Sequence, residues 1–302
     1  MDVDAEVQVK RAHTPLTPEK RVYLAEKARL IRRDIIAAVG AAGSGHPGGS
    51  LSSADILAVL YFEVMRHRPQ QPGWRGRDRF VLSKGHAAPA LYAVLAEAGY
   101  FDRELLTSLR KLGSPLQGHP DMRKVPGVEA STGSLGQGLS IANGMALGLR
   151  LDGLDARVYA LLGDGECQEG EVWEAAMTSV HQKLDTLTAF VDNNRLQIDG
   201  PIDEVKSLSG IGRRFAAFGW HVIEIDGHDL DAIVGAAAEA RWTRGVPTAI
   251  VCHTVKGKGV SFMENQVGWH GAAPKPDQVA KALAELSVAV MTPASAEGGV
   301  SR

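Results

Sequence analysis

Arg157-Val-Tyr-Ala-Leu-Leu-Gly-Asp-Gly165 and, one helix-length later, Leu187-Thr-Ala-Phe-Val-Asp-Asn-Asn194 decide the architecture of this chain. Each opens as a short apolar, partly β-branched run, the pattern of a strand covered on both faces. Each closes in a turn rich in oxygen donors. Between them, Glu169 to His181 reads as a helix with acidic residues in its first turn. Strand, turn, helix and strand form one right-handed βαβ unit, whose ligands belong at the carboxyl ends of the strands. The two glycines of Gly163-Asp-Gly165 let the backbone approach a ligand closely. Mg²⁺ takes about six oxygens in a near-octahedral shell and keeps phosphate oxygens and water among them. Asp164, Asn194 and the carbonyl of Leu196 are the candidate protein donors. Either turn alone is ordinary loop chemistry. The joint spacing, with Cys167-Gln-Glu-Gly-Glu171 after the first turn and Gln197-Ile-Asp-Gly200 after the second, points to a cation holding a diphosphate.

Further out, the same alternation recurs. Thr17-Pro18-Glu19 supplies an N-cap, an N1 proline and an acidic first turn, and Leu24, Ala28, Ile31, Ile35 and Val39 form a helical apolar stripe that stops at Gly40. A glycine-rich loop follows, then a helix over 53–67. Strand 79–82, helix 86–98, a brief helix over 105–112 and a Gly/Pro-rich stretch over 113–138 come next. A helix over 139–151 is expected to pack closely through Gly144 and Gly148. Past the central unit lie helix 208–218, strand 221–225, a helix capped by Asp226-Gly-His-Asp229, strand 249–253 and a last helix over 276–288. This order predicts a doubly wound α/β fold, with a mostly parallel sheet and helices on both faces. One domain over 17–288 is expected, between a flexible extension over 1–16 and a disordered tail over 289–302.

At 302 residues, 44% hydrophobic and 23% charged, the chain is long enough for a full core. A net charge of −2 and scattered Lys/Arg give no electrostatic case for nucleic acid or an anionic membrane. Two cysteines, Cys167 and Cys252, argue against a disulfide framework and suit a reducing cytoplasm. No run reaches membrane-spanning length, and the first residues lack the pattern of a signal peptide.

Four histidines sit among glycines: His46, His86, His119 and His270. Their separations match no single-helix zinc pattern, so a shared site has to be assembled by the fold. Imidazoles can donate to phosphate oxygens and pass protons near neutral pH. Gly43-Ser-Gly-His-Pro-Gly48 satisfies a dinucleotide-binding glycine pattern. It follows a helix rather than a strand, however, and carries a proline where a backbone donor is needed, so a nicotinamide cofactor is not expected. Lys256-Gly-Lys-Gly259 reads as a flexible, basic, solvated approach to His270.

Taken together, Ser44-Gly-His-Pro-Gly-Gly-Ser50, Ser83-Lys-Gly-His86, Gly118-His-Pro120, Thr132-Gly-Ser-Leu-Gly-Gln-Gly138, Gly163-Asp-Gly-Glu-Cys-Gln-Glu-Gly170 and Asn194-Arg-Leu-Gln-Ile-Asp-Gly200 resemble the transketolase family, in family order over residues 20–275. The likeness ends where the family's first, diphosphate-binding domain ends, so the chain resembles the N-terminal subunit of a split transketolase. The resemblance implies a thiamine diphosphate-binding fold and a cofactor pair of thiamine diphosphate with Mg²⁺, or Ca²⁺ or Mn²⁺ in its place. It implies that Asp164, Asn194 and the Leu196 carbonyl hold the metal. Gly165, His86 and His270 would touch the diphosphate, with Glu166 and Ser134 also in the cofactor-binding set. The Gly133 carbonyl would meet the 4′-amino group, and Leu135 would support the rings. His46, His119 and His270 would face the sugar phosphate substrates, and Glu169 would link two active sites at a subunit contact. A C-terminal, pyrimidine-binding subunit would complete each site in an α2β2 assembly, supplying the carboxylate that activates the aminopyrimidine and most of the phosphate grip. The family loop usually reads Gly-Pro-Leu-Gly; Ser134 in place of the proline is expected to loosen it slightly. Related enzymes built on this cofactor domain, 1-deoxyxylulose-5-phosphate synthase and 2-oxoacid dehydrogenase subunits, remain alternatives, as does a non-catalytic cofactor-binding regulatory subunit. The histidine loops at 46 and 119 suit polyhydroxylated sugars better than pyruvate-like acids.

Overall fold

A computed structural model describes residues 15–208 and 210–287. Five strands, β1 (Arg79–Leu82), β2 (Val158–Gly163), β3 (Leu187–Asn193), β4 (His221–Asp226) and β5 (Thr248–His253), form one sheet in the order β1-β2-β3-β5-β4. All four pairings are parallel. The register sets Gly163 beside Asp192 and Asp192 beside Cys252, so the carboxyl ends of β2, β3 and β5 are level. β2 is buried throughout and β3 nearly so, which explains their continuous apolar runs.

Alternation along the strands divides the core in two. Phe80, Leu82, Tyr159, Leu161, Phe190 and Ile250 point into one apolar cluster. That cluster is filled by α1 (Pro18–Ala42), α3 (Ala54–Val59), α4 (Ala88–Glu97) and α9 (Leu230–Trp242). Val81, Val158, Ala160, Leu162, Ala189 and Val191 point into the other, covered by α5 (Gln137–Leu151), α6 (Gly170–His181) and α8 (Ile211–Ala217). The α1 stripe lies in the first cluster, with Leu24, Ile31, Ile35 and Val39 fully buried. Thr17 caps α1 through its hydroxyl, and Gly43 closes it in the left-handed region. α10 (Pro276–Glu285) packs Ala282 onto the α1 side of the molecule.

Several boundaries differ from the sequence reading. The helix expected over 53–67 starts instead within the glycine-rich loop, as α2 (Pro47–Ser52), continues as α3 and ends in a π-helical turn over Leu60–Val64. Pro47 at the first helical position loses no hydrogen bond there, so it opens the helix rather than blocking it. The brief helix over 105–112 is a 3₁₀ segment, Arg103–Ser108, capped by Asp102. A short α7 (Ile202–Lys206) precedes α8, which starts at Ile211 rather than 208. Gly144 and Gly148 do not pack within the chain: a Cβ added to either would meet nothing within 4 Å, and both lie on the exposed side of α5. The last helix stops at Glu285. Leu16 is tied to Asp231 by its backbone N–H at 2.8 Å. The extension over 1–14 and the tail over 289–302 lie outside the described residues.

Candidate active site

Level strand ends create a cavity of about 410 Å³, walled by the segments that follow β1, β2 and β3 together with the Gly133 and Lys256 loops. Asp164 leaves β2, is 3% exposed and accepts the backbone N–H groups of Gly165 at 2.7 Å and Arg195 at 2.5 Å. Asn194 leaves β3; its Oδ1 accepts from the Leu196 N–H at 3.1 Å. Asp164 is thus clasped by the turn that presents Asn194 and Leu196, and the three candidate oxygens line one wall. Burial first, then Asp192, pushes the Asp164 carboxyl up to about 7. A nearby cation would reverse that. The protein's own cation comes close: the Lys256 ammonium donates to the Leu196 carbonyl at 2.8 Å and to His270 Nδ1 at 2.9 Å. Among the described residues there is no group of three or more His, Cys, Asp or Glu that could hold a metal. One carboxylate, one amide and one carbonyl are oxygen donors of the kind a hard cation takes.

Behind this wall lies a buried hub that the site residues read from the sequence do not include. Asp192 is fully buried and accepts from Lys84 Nζ, Ser52 Oγ at 2.6 Å, Thr254 Oγ1 and Asn194 Nδ2 at 3.2 Å. Burial opposes its ionisation, yet Lys84 and the hydroxyl donors hold its pKa below the usual carboxylate range. Lys84 also donates to the Gly49 carbonyl at 2.8 Å. One carboxylate therefore joins α2, the end of β1, the Asn194 turn and the segment after β5. Lys84 lies inside a motif visible in the sequence, but its partner is 108 positions away and only sheet register brings them together.

Glu166 is a second clasp. Its carboxylate accepts from Ser83 Oγ at 2.6 Å, from the Gly136 N–H at the start of α5 at 3.0 Å and from the Gly163 N–H at 3.0 Å. Its side chain is thus engaged by the protein while the residue lines the cavity. Lys256 corrects the sequence reading outright. It is 1% exposed rather than a solvated approach, because the Leu196 carbonyl and His270 hold it inward, and burial lowers its pKa to about 8.

The fold also gathers the histidines. His86 and His270 stack at 5.2 Å between ring centroids, with His46 at 5.3 Å from the first and 5.6 Å from the second. Burial, then the neighbouring lysines and histidines, takes His86 down to about 2 and His270 to about 3; burial, then Arg110, takes His46 to about 4. Burial thus favours the neutral form of all three, and His270 Nδ1 already accepts from Lys256. His46 stands at the N-cap position of α2, packed on His86 and His270, which line the cavity, and its Nδ1 is buried without a hydrogen-bond partner. His119 lies across the mouth against Gly133. That glycine has φ 142°, and a Cβ there would sit 2.8 Å from the His119 ring. Leu135, 36% exposed, and the exposed Glu169 line the outer cavity; Ser134 is exposed and does not.

Residues 23–293 match the family model for the thiamine diphosphate-binding domain of transketolase. The chain belongs to the transketolase family. It is 47% identical to the 6-deoxy-6-sulfo-D-fructose transketolase subunit SqwG of a Clostridium species, over 89% of this chain and 98% of that protein. It is 44% identical to an apulose-4-phosphate transketolase subunit of Phocaeicola vulgatus, over 85% of this chain and 91% of that relative. The transketolase of Pichia stipitis, solved with sedoheptulose 7-phosphate, superposes with a TM-score of 0.84 at 35% identity. That match covers 88% of this chain and 41% of the longer one. The chain therefore corresponds to the N-terminal subunit of a split transketolase, a ketol-transferring enzyme dependent on thiamine diphosphate.

Proposed function

We propose that the cavity holds the diphosphate of thiamine diphosphate through a divalent cation bound by Asp164, Asn194 and the Leu196 carbonyl. The observation that carries this is the convergence of those oxygens at the level ends of β2 and β3, beside two buried lysines and a cluster of neutral imidazoles. Gly165 and Glu166 would lie along the diphosphate. His86 and His270 would donate to its oxygens, while Gly133 and Leu135 would border the rings, with Ser134 between them in the same loop. When bound, thiamine diphosphate supplies the carbanion and electron-sink chemistry that breaks and makes the carbon–carbon bond.

The chain's own residues would then handle the sugar. His119 and His270 line the cavity and His46 packs on His86 and His270; burial favours the neutral form of all three, which would hydrogen-bond hydroxyls and take or give a proton. The substrates proposed are a ketose and an aldose carrying an anionic group, in line with the sulfosugar and sugar phosphate that name the two relatives. A pyrimidine-binding partner chain would complete the site and supply the activating carboxylate and phosphate grip, in an α2β2 assembly with Glu169 at the contact. Two free, buried cysteines suit a cytoplasmic enzyme. Among the described residues no helix is long and apolar enough to cross a membrane.

The test is co-expression with a candidate partner and assay of two-carbon transfer from ketose phosphates to aldoses, with Mg²⁺ and thiamine diphosphate. Transfer that needs both chains, and is abolished by Asp164→Ala or Asn194→Ala together with cofactor affinity, is the expected result. Cofactor binding unaffected by both substitutions would refute the assignment.

A further inference from the structure

Arg110 stands between the two histidine loops, in a neighbouring recess that it lines with Ser44 and Gly118. Its backbone has φ 59°, uncommon for a residue with a side chain, and its N–H donates to the Leu116 carbonyl at 2.8 Å. Such a conformation persists where the surroundings over-determine it. The turn aims the guanidinium group. Its Nη1 donates to Ser44 Oγ at 3.0 Å, two residues before His46. Its carbon and two of its nitrogens lie 2.9 to 3.1 Å from where a Cβ would stand on Gly118, the residue before His119. One planar group thus touches both loops, and Gly118 has room for it only because it lacks a side chain. Among the described residues no carboxylate pairs with Arg110.

We propose that Arg110 is a positioning residue: it ties the Ser44–His46 loop to the Gly118–His119 loop, so that two imidazoles grip one sugar at a fixed separation. This rests on the reading that those histidines meet the sugar. A guanidinium suits the task where an ammonium does not, because it can donate at its edge while lying flat against a glycine. Its uncompensated charge has a second effect. After burial, Arg110 is the foremost charge opposing protonation of both His46 and His119. The other groups facing His46 are His119, Lys256, His86 and His270, none of them acidic.

Arg110→Ala and Arg110→Lys separate the charge from the bridge. In the full chain, imidazole NMR titrations of Arg110→Ala should show both His46 and His119 protonating at higher pH than in the wild type, with amide shifts in both loops. His228 is the control, its nitrogens being held by Asp55 and the Val255 N–H. Arg110→Lys should restore the titrations but not the loop amide shifts. In the complex with the partner chain, both variants should raise KM for the sugars by about tenfold, the loss of one hydrogen bond to a charged group, with thiamine diphosphate affinity within about twofold of wild type. Only one loop responding, or neither, overturns the bridge. A KM effect confined to phosphorylated or sulfonated sugars also overturns it and makes Arg110 a direct anion contact. If the wild-type complex transfers no ketol group, the functional reading fails, while the histidine titrations still decide the role of Arg110.

Discussion

Asp192 shows how a single residue can organise a site without touching its ligand. Its fully buried carboxylate meets a lysine, three hydroxyls and an amide from four segments. Asp192→Ala leaves Lys84 charged and unpaired, so urea unfolding should show a loss of about 3–5 kcal/mol. The double variant Lys84→Met, Asp192→Leu should recover much of that, since replacing both members of a buried pair is often close to neutral. The histidine cluster makes a separate prediction. His86, His270 and His46 are depressed to about 2, 3 and 4 from 6.5. The unfolded chain takes up these protons near pH 6.5 and the folded one does not. Their contribution to stability is therefore complete above about 6.5 and is lost as pH falls, down to about 4 for His46, 3 for His270 and 2 for His86. NMR titration should find all three imidazoles neutral at pH 5; a cluster that titrates at pH 6 or above would contradict this environment.

Helices carry the site through their ends and their close approaches. α5 starts against the end of β1: a Cβ on Gly138 would collide with Ser83 Oγ. Ser83 and the Gly136 N–H share Glu166, so Gly138→Ala should strain the clasp as well as the packing. A loss of about 1–3 kcal/mol in thermal or urea unfolding is expected, with weakened cofactor affinity. Gly144→Ala, one turn and a half along the same helix, meets open space. In the isolated chain it should be stabilising by up to about 1 kcal/mol, since alanine is the better helix former. Equal destabilisation by the two substitutions would show that the outer face of α5 is covered within the chain. The start of α2 at Pro47 matters in the same way, because it sets His46 at the helix entrance rather than in a free loop.

As a whole molecule, the chain ends its resemblance to longer transketolases at about two fifths of their length. The isolated chain should bind thiamine diphosphate with Mg²⁺ weakly by calorimetry and lose that binding with EDTA. It should turn over no sugar until the partner is added. Turnover by the purified chain alone would show that no second polypeptide is required.

Much of this was legible in the residues themselves. Continuous apolar runs, capped amphipathic stripes and glycine-flanked histidines are local signals, and they indicated the α/β class, the central βαβ unit and several residues of the cavity wall, although the wall holds Lys84 and Lys256 and omits His46 and Ser134. What needed three dimensions was every relation between distant segments. Lys84 meets Asp192 because the chain runs on two residues past the end of β1, reaching across β2 to the end of β3, and Lys256 turns inward because the Leu196 carbonyl and His270 wait there. Arg110 bridges two loops from a strained turn. Local pattern reports which face of an element is buried, whereas charge pairing and pKa depend on which other elements the sheet order and register bring into contact.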